Sequence, residues 1–450
     1  MADRITSWWR IGFICAVLLL EGMSSSSINV QIGALERHFG LSPALLQLTV
    51  GAFLIAYAGL LPLAGRWVDT RGGRTVFLWG VALFGLGCVI CAAALSGLWL
   101  VAGRFAQGAG AALSAPAAVA LIIAGLPPGK TRNQAMGLYA AMGAVGFSLG
   151  LVLPAFVVTE LGWRASFLVY LPLVVAMLII GQTIQRSAAP GGKLDPLSAI
   201  AVTIAMMLAV HAIADVGNAP LWSTAVQLGG ALLLGMTVKL SGRRLFPVEV
   251  TRSAGVLSGS FALAGVFAAL VTSVYLVSLA LQANNTAFEV GLALVPQSIS
   301  NAIATMFGAK LVTRFGARKV LTTGMALVVT ALGYLGTVGM SLPYAAGLLP
   351  AFVIIGISIA LSYPAASIMA VDAVQPEHHG SAAGLLTSFQ NVGGAAGLAV
   401  ATAAAVVPLP GSGVPPEPGQ LLSMAMMVFF GLVVAGIWWF SRRTLLTTRG

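Results

Sequence analysis

Apolar residues in this chain come in long, nearly unbroken runs. They do not alternate with period two, and most runs lack a polar face of helical period. Runs of about 18 to 25 residues are the length a helix needs to cross a bilayer. Fourteen such runs occur, near residues 11–32, 46–66, 75–95, 97–118, 134–158, 165–185, 196–215, 222–240, 255–281, 289–311, 319–340, 344–370, 380–406 and 421–441. The ten-residue alternating segments of a transmembrane barrel are absent. The pattern predicts an all-α polytopic membrane protein.

Composition strengthens that reading. Of the 450 residues, 58% are hydrophobic and only 8% are charged. Soluble domains carry about 25% charged residues, too many to reconcile with this chain. Disorder driven by low hydrophobicity is excluded as well. The three cysteines, Cys15, Cys88 and Cys91, all lie in apolar runs, so no secreted disulfide framework is indicated.

The formal net charge of +11 raises the question of nucleic acid. Its distribution answers it. With the N-terminus placed inside, 20 of the 23 Lys and Arg fall in cytoplasmic segments, and only Arg37 and Arg164 fall outside. Arg104 lies within a span. This is the positive-inside asymmetry of a membrane protein, with both termini cytoplasmic. No basic run with interleaved aromatics supports a nucleic-acid partner. The first run follows Arg10 as in a signal peptide, but Glu21 interrupts it and no small-x-small site precedes Ser24, so it reads as a retained span.

The chain repeats itself. Gly65-Arg-Trp-Val-Asp69-Thr-Arg71-Gly72-Gly-Arg74 follows the second span, and Leu311-Val-Thr313-Arg314-Phe-Gly316-Ala-Arg318-Lys319 follows the tenth. Gly72 and Arg74 match Gly316 and Arg318 at an offset of 244. Two halves with corresponding loops are common in secondary transporters. The expected organisation is a six-helix half over 1–185, an inserted helix pair with its loops over 186–254, and a second six-helix half over 255–450.

Several motifs carry a family resemblance. Gly65…Asp69…Gly72…Arg74 resembles the G-x-L-x-D-R-x-G-R-K loop of the major facilitator superfamily, with Thr70 at the place of the first Arg. Leu100-x-x-x-Arg104-x-x-Gln107-Gly108-x-Gly110-Ala111 resembles the L-x-x-x-R-x-x-Q-G-x-G-A signature of its antiporters. Gly162-Trp163-Arg164…Phe167…Pro172 and Asp195-Pro-Leu resemble stretches of the fourteen-span drug:proton antiporter branch. Two departures stand out. In the fifth span Leu151 replaces a Pro, with Gly146 and Gly150 kept. In the first span, alignment on Asn29 puts Ser24 where the branch has Asp, with Glu21 one turn earlier. The resemblance implies a major facilitator fold and export driven by protons.

Charged groups inside a bilayer are costly and default to functional hypotheses. Glu21, Ser25 and Asn29 are spaced i, i+4, i+8 on one face of the first span. Glu21 is the candidate for the coupling proton; the alternative is a structural carboxyl that holds helices together. Arg104 keeps its proton, so its candidate role is a fixed charge acting on a nearby acid, with Gln107 one turn on. Tying its helix to carbonyls of the first span is the alternative, and the two roles are compatible. Asp69, Arg71 and Arg74 at the inner face are candidates for a conformational latch.

Other polar or soft side chains are candidates for contact with substrate. They are Ser25, Asn29 and Gln107; Tyr139, Met142 and Phe147; Gln297 and Asn301, with Thr305 on their face; and Phe389, Gln390 and Asn391. Helix–helix hydrogen bonding and packing are the competing explanations. His211 and Asp215 read as a surface polar pair, and Asp372, Glu377, His378 and His379 as a solvated loop rather than a metal site. Asp215 and Asp372 stay open as further proton carriers.

The expected function is proton-coupled export of amphiphilic drugs, dyes or antibiotics by alternating access. The expected protein is a monomer in a bacterial inner membrane that needs no cofactor or metal. A dedicated exporter of one metabolite or lipid, or an uptake permease, is the alternative on the same fold. An enzyme is not expected: HExxH and GxSxG motifs are absent and histidines number four.

Overall fold

The computed structural model describes residues 8–126, 130–184, 221–240, 248–282, 284–336, 342–375 and 379–406, with isolated positions between 201 and 212. Nearly all of these residues are helical, and no strand occurs among them. In chain order the helices are α1 (Trp8–Phe39), α2 (Pro43–Arg71), α3 (Gly73–Ala92), α4 (Gly97–Gly125), α5 (Lys130–Leu161), α6 (Trp163–Leu168) and α7 (Leu171–Gly181). They continue with α8 (Leu221–Leu240), α9 (Val248–Arg252), α10 (Ala254–Gln282), α11 (Ala287–Phe315), α12 (Ala317–Tyr334), α13 (Leu348–Val371) and α14 (His379–Val406). Among the described residues, seven helical stretches are long and apolar enough to cross a membrane.

The expected spans and the helices largely coincide. The run at 165–185 is the exception in form, because it is divided into α6 and α7. Pro172 stands in the first turn of α7. Its ring meets the carbonyl four residues back, and it has no N–H to continue the ladder, so the helix restarts there. The expected spans at 421–441 and, apart from isolated positions, 196–215 lie outside the described residues.

The chain divides into two compact units, Met1–Met207 with Leu281–Val295, and Leu208–Ala280 with Pro296–Gly450. Within each unit the same local devices recur. Gly72, between α2 and α3, has φ 83 and ψ 145; Gly316, between α11 and α12, has φ 85 and ψ 145. L side chains are strained at such positive φ, so both turns need glycine. The internal repeat legible in the sequence is thus also a repeat of backbone conformation.

Small residues set the helix spacing. In the first unit, a Cβ at Gly146 or Gly150 of α5 would overlap the Leu19 or Met23 carbonyl of α1. In the second, a Cβ at Gly393 or Gly397 of α14 would overlap the Ala264 or Ala268 carbonyl of α10. Both pairs are spaced i, i+4, which puts them on one helix face. Membrane helices gain most of their association energy from such close packing, since lipid tails are as apolar as the side chains.

Gly108 of α4 makes another such contact near the polar centre of the first unit. A Cβ there would overlap the Phe53 carbonyl of α2. Gly108→Ala is expected to cost about 1–3 kcal/mol through forced separation of α2 and α4. Gly12, with nothing within 4 Å, is the control: Gly12→Ala should be neutral or gain up to about 1 kcal/mol of helix propensity. Thermal unfolding of both variants in detergent checks the difference; equal melting temperatures would refute the packing argument.

Candidate functional site

The polar centre of the first unit is built on α1. Its serines, Ser24 to Ser27, are consecutive, and successive residues of a helix point about 100° apart. They therefore reach different neighbours. Ser24 meets α4, Ser26 donates to the Phe147 carbonyl of α5 at 2.8 Å, and Ser27 accepts from the Tyr170 hydroxyl at 2.7 Å. One turn further out, Gln31 Nε2 donates to Ser166 Oγ at 2.8 Å. These bonds fix the rotation of α1, and with it the direction of Glu21.

Glu21 is buried, with 6% of its surface exposed. Its Oε2 accepts a hydrogen bond from the Tyr57 hydroxyl of α2 at 3.0 Å. Its Oε1 is buried with no partner. Among the described residues no cation stands within ion-pair distance of this carboxyl. A buried carboxyl without a cation is costly to hold as an anion.

Arg104 of α4 is 1% exposed. Its Nη1 donates to Ser24 Oγ at 2.8 Å, to Ser24 O at 3.1 Å and to Gln107 Oε1 at 2.9 Å. Its guanidinium carbon lies 4.8 Å from the centroid of the Phe53 ring, within cation–π range. Gln107 passes the chain on, donating from Nε2 to Cys88 Sγ at 3.1 Å. The acceptors of these guanidinium hydrogen bonds are all neutral. Ser24 is the residue of α1 that Arg104 touches, and the Glu21 carboxyl sits one turn away on Tyr57.

Phe53 and Tyr57 were not among the sequence candidates. A signal for them existed: Tyr57 is a lone hydroxyl in the apolar middle of α2, and Phe53 stands at i−4 on the same face. Cys88, buried on α3, was likewise not a candidate and accepts from Gln107.

The remaining candidates are distributed as follows. Asn29 is buried, donates to the Ser26 carbonyl at 3.1 Å and leaves its Oδ1 without a partner; Ser25 is half-buried. Tyr139 of α5 donates to the Ala115 carbonyl at 3.3 Å, and Met142 and Phe147 are half-buried on the same helix. Asp69 lies in the last turn of α2. Arg71 stands 5.8 Å from the Trp79 ring, and Arg74 Nη2 donates to the Gln182 carbonyl at 2.6 Å, so both basic groups engage partners within the first unit.

In the second unit, Gln297 is 2% exposed and both its amide atoms lack partners. Asn301 is half-buried one turn on. Phe389 packs edge-on to Phe261 at 5.0 Å, Asn391 donates to the Thr387 carbonyl at 2.9 Å, and Gln390 Oε1 is buried without a partner. Asp372 caps α13 and is exposed. His211, Asp215, Glu377 and His378 lie outside the described residues. No cluster of three or more metal-ligating side chains occurs among the described residues.

Long apolar helices packed through small residues, with a few ionisable and amide groups buried among them, define a multi-pass membrane protein of the secondary-transporter kind. The chain belongs to the Major Facilitator Superfamily, whose family model matches residues 14–276 and 256–448. Among its relatives, the uncharacterized MFS-type transporter EfpA of Mycobacterium tuberculosis is 29% identical over 406 residues, covering 86% of this chain and 76% of that protein. The cephamycin export protein CmcT of Amycolatopsis lactamdurans is 29% identical over 441 residues, covering 93% of this chain and 88% of that protein. Among solved structures, a D-xylose-proton symporter superposes with a TM-score of 0.70 at 16% identity, over 96% of this chain and 97% of that one. The chain thus has the major facilitator fold, and its substrates are small molecules.

Proposed function

We propose that this transporter exports amphiphilic drugs, dyes or antibiotics in exchange for protons, as a member of the fourteen-span antiporter branch in a bacterial inner membrane with both termini cytoplasmic. The observation that carries this reading is the Glu21 carboxyl: buried in a span, hydrogen-bonded on one oxygen, unpartnered on the other and, among the described residues, facing no cation. Such a group binds and releases a proton as its surroundings open and close, which is what coupling requires. Arg104 supplies a fixed charge nearby and holds α4 to α1. The export direction is supported by the antiporter-like sequence around Arg104 and by the likeness to an export protein.

Alternating access follows from rocking of two halves, 1–185 and 255–450, with the helix pair of 186–254 between them in sequence. Asp69, Arg71 and Arg74 latch the cytoplasmic side of one state. Substrate meets Ser25, Asn29, Gln107, Tyr139, Met142, Phe147, Gln297, Asn301, Phe389, Gln390 and Asn391. Flexible and aromatic groups of this kind repack around different shapes.

The test uses inside-out vesicles and a fluorescent lipophilic cation. An imposed gradient, acid inside, should drive dye inward, and a protonophore should release it. Accumulation indifferent to the protonophore would refute proton coupling. Accumulation of a single metabolite but of no dye would favour the dedicated exporter.

A further inference from the structure

The two repeat glycines place α2 and α11 in the same register. Phe53 stands nineteen residues before Gly72, and Gln297 stands nineteen before Gly316. Tyr57 and Asn301 correspond in the same way. In the first unit these positions serve charged groups: Phe53 lies under the Arg104 guanidinium, and Tyr57 donates to Glu21. In the second unit they carry two amides. The helices α10, α12, α13 and α14 contain no acidic residue at all.

Gln297 is the unusual one of the pair. A buried primary amide offers two donors and one acceptor, and leaving these unmet is costly. Here both Nε2 and Oε1 lack partners, in a side chain that is 98% buried by its 2% exposure. Its surroundings are legible from the helix. Ile299, Ile303 and Phe307 are 52%, 56% and 53% exposed and form the exposed apolar side of α11. At about 100° per residue, the row Gln297, Asn301 and Thr305 lies roughly 200° away from that side. Exposure rises along this row, from buried Gln297 through half-buried Asn301 to exposed Thr305. A polar track therefore leads from exposed Thr305, in the middle of α11, to an amide with no partner among the described residues.

We propose that Gln297 recognises substrate through paired hydrogen bonds to a neutral group that carries a donor beside an acceptor: a carboxamide, lactam or urea. The inference rests on the exporter reading for the claim that its ligand is the transported molecule. Gln297 then selects the uncharged polar part of a substrate, while Glu21 handles the proton. Each half contributes the chemistry its own residues allow.

The test compares two probes on the full chain in nanodiscs. One is a fluorescent cation with a primary carboxamide; the other is its N,N-dimethyl analogue, which keeps the acceptor and loses the donor. Wild type should bind the carboxamide at least about tenfold more tightly, the equivalent of one or two well-made hydrogen bonds. Gln297→Leu should bind both probes equally, and the carboxamide should lose more affinity than the dimethyl analogue, which keeps only the acceptor that Gln297 Nε2 can serve. Gln297→Met, closer in shape, serves if the leucine variant does not fold. No preference in wild type, or a preference that survives both substitutions, overturns the proposal; a water that merely fills the site would give the first result. Proton-driven accumulation of the dimethyl analogue is measured alongside in vesicles. Its presence without a carboxamide preference sinks the Gln297 proposal alone. Its absence with the preference intact sinks the exporter reading and leaves the recognition chemistry standing.

Discussion

Vesicles carrying Glu21→Gln are expected to hold no dye gradient under conditions where wild-type vesicles fill. A pH difference of two units is worth about 2.7 kcal/mol per proton, so one proton exchanged per dye supports a concentration ratio of about a hundredfold. Glutamine keeps the volume and the acceptor for Tyr57 but cannot gain or lose a proton at this site. The variant's ratio should fall to about one. Two further readings separate a coupling role from a structural one. Dye binding to the purified variant should stay within about threefold of wild type, because the Tyr57 bond at 3.0 Å has a neutral replacement acceptor. Exchange of dye for dye, with no gradient, should persist. Tyr57→Phe should fall between: the carboxyl remains, but its one hydrogen bond is gone, and coupled transport should drop about tenfold. If Glu21→Gln vesicles fill normally, the proton site lies elsewhere, and Asp215 and Asp372 become the next candidates.

The membrane helices were legible in the sequence because bilayer thickness imposes a run length that composition displays directly. The repeat was legible because its two glycines are required by backbone conformation, φ 83 at Gly72 and φ 85 at Gly316, and such a requirement survives in sequence. The break between α6 and α7 could have been read from Pro172 but was absorbed into a single apolar run. The site was legible only in part. Glu21 and Arg104 announce themselves as charges among apolar residues. Tyr57 and Phe53 do not, since an aromatic ring in a membrane helix is ordinary, and only packing gives them their partners, Arg104 of α4 for Phe53 and Glu21 of α1 for Tyr57. Ser24 shows the same limit from the other side. As a residue type it marks a missing acid; in the structure it is the hydroxyl that the Arg104 guanidinium binds at 2.8 Å. Gln297 was visible as a polar residue on α11, but a want of partners is a property of three-dimensional surroundings and leaves no mark on the chain.

Arg104→Lys should fold nearly as well as wild type yet transport about tenfold to a hundredfold more slowly. The reason is geometric. One terminal nitrogen of the guanidinium bonds Ser24 twice and Gln107 once, while the planar group lies against the Phe53 ring. A lysine ammonium is a compact point charge and does not reproduce a planar group that bonds α1 through one nitrogen while lying against a ring. It keeps the charge and loses the placement. Arg104→Met removes both and leaves Ser24 Oγ and Gln107 Oε1 without this donor, at a cost of about 1–3 kcal/mol each. Its melting temperature should drop along with its transport. A lysine variant that transports at the wild-type rate would show that charge alone suffices and that the planar group is incidental. The relation to Glu21 is then tested by a double-mutant cycle between Arg104→Met and Glu21→Gln. The two side chains share no hydrogen bond or ion pair in this structure, so their effects on stability should add within about 0.5 kcal/mol. Their effects on proton-driven transport should not add, because either substitution alone already removes the exchange of a proton for a substrate. Additive losses in transport would instead mean that Arg104 acts apart from the proton, as a tie between α1 and α4.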